Sequence, residues 1–214
     1  ATIYSSIGLI DDVIDGATPL RAPHHSASHV AIIGGGQTIR PGDITLAHHG
    51  ILYLDEFPEF ERRSIDALRQ PLEDRVVSIT RVHSSVLFPA DFILIAAMNP
   101  YRGSFDGTTD LARAMQETYH GKISGPILDR IDLWIEVPHV PYETLTTLNT
   151  TQGETAAART KIADSRERQA ARLAGRGITT NANMTSRDID ETITLTPEVQ
   201  TILKQSAAKL QLSP

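Results

Sequence analysis

Apolar and polar positions alternate in kind along this chain, and the change of pattern marks its organisation. Ile51 to Leu54 form an unbroken apolar run that ends on two adjacent carboxylates, Asp55 and Glu56. Such a run, bounded by polar residues, predicts a short strand buried on both faces. "FILIAAMN" repeats the pattern and ends on Asn99, and "DLWIEV" predicts a third strand. Between them, Phe60, Ile65 and Leu68 recur at helical spacing, and Pro71 is expected to end or kink that helix. "RVVSITRVHSSVLF" alternates in two halves about Val82-His83-Ser84, the pattern of a hairpin. The Pro- and Gly-punctuated stretch "TPLRAPHHSASHVAIIGGGQTIRPGD" predicts loop with short strands, Ile44 to His49 a brief helix or strand, and residues 1–15 a short helix or strand remnant.

Beyond Pro138 the texture changes. A polar linker leads to "TAAARTKIADSRERQAARLAG", an Ala- and Arg-rich helix with Gly175 as its stop. "TSRDIDETI" opens on cap residues, and "TPEVQTILKQSAAKLQL" places Thr196 at an N-cap and Pro197 at the first helical position. Strands alternating with helices over residues 1–138, followed by helices alone over 139–214, predict an α/β parallel-sheet domain with a small all-α companion.

Composition narrows the class. The chain has 214 residues, enough for a sizeable core, and a net charge of −6 that carries no global nucleic-acid signature. It holds no cysteine, which excludes disulfides and thiolate metal sites and suits a reducing cytoplasm. No apolar run is long enough to span a membrane, and the first residues lack the pattern of a signal peptide.

The chemistry concentrates at strand ends. Ligands of open α/β sheets bind at the carboxyl ends of the strands. An Asp there can hold Mg²⁺, often through water, and a neighbouring Glu can polarise an attacking water, so the apolar run plus Asp55-Glu56 has the pattern of a Walker B strand. A core strand followed by a solvated helix cap fits the same residues. Asn99 could reach a γ-phosphate or its attacking water. Arg130, between Asp129 and Asp132, suits either a finger on transition-state charge across a subunit boundary or a local salt bridge.

With these residues in place the chain resembles the magnesium-chelatase-like AAA+ ATPases, in the ComM/YifB branch. The resemblance rests on "LRAPHHSASHVAIIGGG", "RPGDITLAHHGILYLDEFPEFERRSIDALRQPLE", "FPADFILIAAMNP" and "ISGPILDRIDLWIEVPHVP", and extends from about Ile3 to Pro214. It implies a P-loop NTPase core with flanking helices and a helical lid subdomain. It implies ATP and Mg²⁺ as cofactors, Asp55 helping to hold the metal, Glu56 as catalytic base, Asn99 at the sensor 1 position, and Arg130 as an arginine finger reaching the neighbouring subunit. It further implies a ring oligomer, with six subunits as the expectation, and a motor acting on DNA, of the kind associated with branch migration and competence. The segment from Ser26 to Asp43 corresponds to an insert and Arg75 to Phe88 to a hairpin; in related rings both face the pore, which makes Arg40, Arg81 and His83 the candidates for nucleic-acid contact, beside the plainer reading of solvated turn residues.

The chain departs from the family pattern in two places. It holds no G-x-x-x-x-G-K-[ST] loop, since Gly121-Lys122 runs into Ile123, so both the phosphate loop and the sensor 2 helix are expected to lie outside this stretch, and weak ATP binding by these 214 residues alone is expected. Tyr101-Arg102-Gly103 stands where many relatives carry Cys-Pro-Cys-Gly. A chelatase-type subunit driving metal insertion, and a non-catalytic remnant that keeps assembly surfaces, stand as rival readings. His25 and His29 lie four apart without the H-E-x-x-H of a zinc site and read as structural histidines. Gly34-Gly35-Gly36 reads as a flexible insert loop, and the Arg159 to Arg176 helix as a solvated lid helix.

Overall fold

The computed structural model describes residues 2–6, 18–81, 84–99, 121–135, 137 and 154–210. They divide into two compact units, Ala1–Trp134 and Ile135–Pro214.

The first unit is built on a three-stranded parallel sheet. Its strands are β1 (Leu20–Arg21), β4 (Ile51–Leu54) and β7 (Ile93–Ala96), in the order β1-β4-β7. Leu20 pairs with Ile51, and Ile51 through Leu54 pair with Ile93 through Ala96. In the central strand Leu52 and Leu54 are buried, whereas Ile51 and Tyr53 are half-buried. One face is therefore sealed and the other only partly covered, against the expectation of burial on both. β7 departs further, with Ile93 62% and Ile95 44% exposed. The reason is position: among the described residues β7 has β4 as its only strand partner. Over its described residues the expected third strand is not formed. Residues 131–135 are irregular, and Leu133, Trp134 and Ile135 lie exposed. A β-prone apolar run becomes a strand only where another strand offers its backbone groups a partner.

Short elements close the core over β4, following α1 (Thr2–Ser6). α2 (His29–Ile33) buries Ile32 and Ile33, and its N-cap Ser28 accepts the Ala31 N–H at 3.2 Å. Gly34-Gly35-Gly36 is no loose loop: β2 (Gly34–Gly35) pairs antiparallel with β3 (Arg40–Pro41). All three glycines have positive φ, and a Cβ on Gly34 would stand 2.6 Å from the Arg40 carbonyl oxygen. α3 (Asp43–Leu46) then buries Ile44, Thr45 and Leu46. After a 3₁₀ turn at Phe57–Glu59 come α4 (Arg62–Ala67) and α5 (Arg69–Asp74). Phe60, Ile65 and Leu68 are all buried, as their helical spacing predicts. The helix breaks at Leu68, and Pro71 sits in the first turn of α5, where a missing N–H leaves no hydrogen bond unmade. β5 (Val76–Arg81) and β6 (Ser84–Pro89) form the expected hairpin, in register from Val76↔Pro89 to Arg81↔Ser84. α6 (Gly125–Leu128) adds Ile127 to the core.

Every regular element among the described residues of the second unit is a helix. α7 (Glu154–Leu173) is exposed along nearly its whole length and buries Leu173. Gly175 follows at φ 79°, the left-handed conformation expected of a helix stop. α8 (Ser186–Thr192) starts with a reciprocal capping box between Thr185 and Asp188, and Arg176 is held by Glu191 at 2.9 Å. α9 spans Pro197–Leu210, with Thr196 Oγ1 accepting the Val199 N–H.

Candidate active site at the carboxyl end of the sheet

The acid pair and Asn99 leave adjacent parallel strands at one rim. The ladder between β4 and β7 runs on past its last pair: the Ala97 N–H donates to the Leu54 carbonyl at 2.9 Å, and the Phe57 N–H donates to the Ala97 carbonyl at 2.9 Å. Asp55 and Glu56 occupy the turn between those two bonds, and Asn99 follows two residues after Ala97. Asn99 is exposed and has no hydrogen-bond partner among the described residues.

Backbone geometry separates the two acids. Glu56 is in the left-handed region, φ 51° and ψ 44°, an uncommon conformation for a residue with a Cβ. It turns the chain off the strand axis, and its N–H donates to Asp55 Oδ1 at 2.9 Å. The other Asp55 oxygen has no partner among the described residues. Glu56 instead reaches the loop after β1, where His25 Nδ1 lies 2.9 Å from its Oε2. An ionised carboxylate only accepts, so the hydrogen is on Nδ1. The imidazole is fixed on two sides. It packs against His24 at 4.0 Å between centroids, the rings tilted by 36°, and meets buried Phe60 edge-on at 6.4 Å. His24 is itself tied to Ser26, whose Oγ lies 2.8 Å from Nδ1.

His25 was read from sequence as structural, and its contact with Glu56 was not foreseen. The "APHHSAS" string was the available signal. What hid the contact was the parallel pairing of two-residue β1 with β4, which no local pattern announces. Two other histidines do serve structure. His29 Nδ1 lies 3.4 Å from the buried Ser64 Oγ; burial, then the nearby Arg63 charge, push its pKa down against the pull of Glu61. His48 Nδ1 accepts the Asp91 N–H at 3.0 Å; burial, then neighbouring His49, push its pKa down against the pull of Asp91.

Arg130 follows α6 and has its polar contacts elsewhere. It pairs with neither adjacent acid. Nη1 donates to the Pro126 carbonyl at 2.6 Å and Nη2 to Glu73 on α5, and its side chain is 22% exposed. Of the nucleic-acid candidates, Arg40 is exposed on β3 with no ion pair among the described residues. Arg81 is the last residue of β5, and His83 lies outside the described residues.

The rim suits a hard divalent cation shared with phosphates better than a protein-only metal cage. Among the described residues no group of three or more His, Asp or Glu side chains could enclose a metal. Mg²⁺ asks for less, one or two carboxylates with water and phosphate oxygens, and the open oxygen of Asp55 is a donor of that kind.

Comparison with known proteins gives the family. The family described as magnesium chelatase, subunit ChlI, matches residues 2–145, and the family described as magnesium chelatase, subunit ChlI C-terminal, matches residues 152–214. The competence protein ComM of Haemophilus influenzae is 45% identical over 198 residues, covering 91% of this chain and 38% of that protein. YifB of Salmonella typhimurium is 44% identical over 170 residues, 75% of this chain and 33% of that protein. The DNA replication licensing factor Mcm6 of Drosophila melanogaster matches 96 residues at 31% identity, 45% of this chain and 11% of its own length. The chain thus spans between a third and two fifths of the length of the first two.

Proposed function

The chain belongs to the magnesium chelatase subunit ChlI family, in the ComM/YifB branch of AAA+ proteins, and from that premise we propose that it carries the water-activating part of an ATP-hydrolysing motor that remodels DNA. One observation carries the reading: Leu54 and Ala96 are register partners, so the acid pair and Asn99 leave the sheet side by side at the edge where α/β sheets bind ligands.

Magnesium-bound ATP supplies the γ-phosphoryl group under attack and a divalent charge that offsets the developing negative charge. Asp55 provides an oxygen donor for that cation. Glu56 accepts a proton from the attacking water. Asn99 offers an amide to position the water or hydrogen-bond a phosphate oxygen. Arg130, released from Glu73, brings a planar cation to a neighbouring copy's site. Arg40 and Arg81, on the two hairpins, are the candidate contacts to DNA phosphates.

The test uses the whole protein in which these residues occur. Glu56→Gln should keep ATP binding and lower turnover by about 10²–10⁴-fold, the range of general acid–base catalysis. Turnover equal to wild type would remove Glu56 from the mechanism. Branched or single-stranded DNA should raise the wild-type rate; a rate indifferent to DNA but raised by a porphyrin-metallating partner would move the protein to the chelatase side of its family.

A further inference from the structure

We propose that His25 is a positioning residue for Glu56, its Nδ1–H fixing one carboxylate oxygen so that the other faces the attacking water. The inference rests on Glu56 being the base and goes beyond that reading by naming what orients it.

A glutamate has three free torsions, and a water-activating carboxylate works only over a narrow range of positions. Glu56 is nearly half exposed, with 46% of its side-chain surface open, so packing does not hold it. Its left-handed backbone sets the direction of departure but not the place of the carboxylate. The one described side chain that reaches it is His25, at 2.9 Å. That imidazole is itself held, packed at a tilt of 36° against His24 and edge-on to Phe60. The chain of constraint therefore runs from a core phenylalanine, through an aromatic contact and one hydrogen bond, to Oε2. A carboxylate bonded through Oε2 still has Oε1 to receive a proton. The contact also crosses between the loop after β1 and the turn after β4, so it forms only where the sheet has assembled and the acid pair stands at its rim.

Two substitutions separate orientation from packing. His25→Phe keeps the ring against His24 and Phe60 and removes the donor. His25→Asn removes the ring and keeps an N–H close to the place of Nδ1. In the whole protein, His25→Phe should lower kcat by about 10–100-fold with KM for ATP unchanged, from loss of a charge-assisted hydrogen bond and of the base's alignment. His25→Asn should retain most of the rate. In the Glu56→Gln background neither change should lower the remaining rate further. The inference is overturned if His25→Phe turns over ATP at or above the wild-type rate, if Asn is the worse substitution, or if the His25→Phe loss repeats in full on Glu56→Gln. An inactive Glu56→Gln beside an active His25→Phe would refute this inference alone; an active Glu56→Gln would refute the hydrolysis reading beneath it.

Discussion

His48 shows how one hydrogen bond sets a residue's response to pH. Its Nδ1 accepts the Asp91 N–H, so the ring is neutral with its hydrogen on Nε2, and protonation would put a second donor against that N–H. Burial acts in the same direction, and the folded pKa lies below the ordinary 6.5. His29 is shifted the same way. Below pH 6.5 the unfolded chain therefore binds protons at these sites that the folded chain refuses. Stability should be full above that value and fall as the pH drops from 6.5 through the folded pKa values. Denaturant unfolding between pH 8 and pH 5 reads this directly. His48→Asn, whose amide oxygen can take the Asp91 N–H without titrating, should flatten part of the slope. An unchanged slope would show that His48 does not carry it. None of this was legible in "LAHHG", because the partner at Asp91 is far along the chain. The place of Asp55 and Glu56 at the end of a strand was legible, since four apolar residues before two acids is a local pattern.

Among the elements, the meeting of β1 and β4 matters most to the site, and it depends on a glycine. The Ile51 N–H donates to the Pro19 carbonyl at 2.8 Å, and a Cβ on Gly50 would stand 2.0 Å from that same oxygen. Gly50→Ala must push β1 away from β4. Overpacking of this kind costs about 1–3 kcal/mol, and it would also carry the His25 loop away from Glu56. The expected result is a lower melting temperature together with lower ATP turnover; an alanine variant that melts and turns over like wild type would show that β1 yields without cost. The longer helices and the β5–β6 hairpin could be read from the chain because their patterns are local: Ile65 and Leu68 buried along α4 and at its end, alternation in the hairpin, Thr185 at a cap. α2 escaped notice because five residues between Pro and Gly signals carry too little periodicity. Burial on both sides of β7 and a strand at 132–137 were expected from apolar content. Content tells what a segment could bury, and the described neighbours decide whether it does.

At the scale of the whole molecule the open matter is where Arg130 acts. Within one chain it is tied to Glu73 and the Pro126 carbonyl, so service to another copy requires leaving a partner. Glu73 is 56% exposed, so solvent competes for that pair and its loss costs little beside the gain in rate. A finger on the transferring phosphoryl group is worth about 10³–10⁵ in rate, so a modest release yields a large return. Arg130→Ala should accordingly abolish turnover while moving the melting temperature little. The decisive measurement mixes variants. An Arg130→Ala copy keeps Glu56, and a Glu56→Gln copy keeps Arg130. If a head-to-tail ring puts the arginine of one copy on the nucleotide of the next, random mixing in equal amounts regenerates complete sites at roughly a quarter of the interfaces. Two inactive proteins should then recover activity together. Absence of recovery, with assembly intact, would mean that Arg130 works within its own chain, as a clip between α5 and the turn after α6. The same mixture would then show that hydrolysis does not require two copies to share one site.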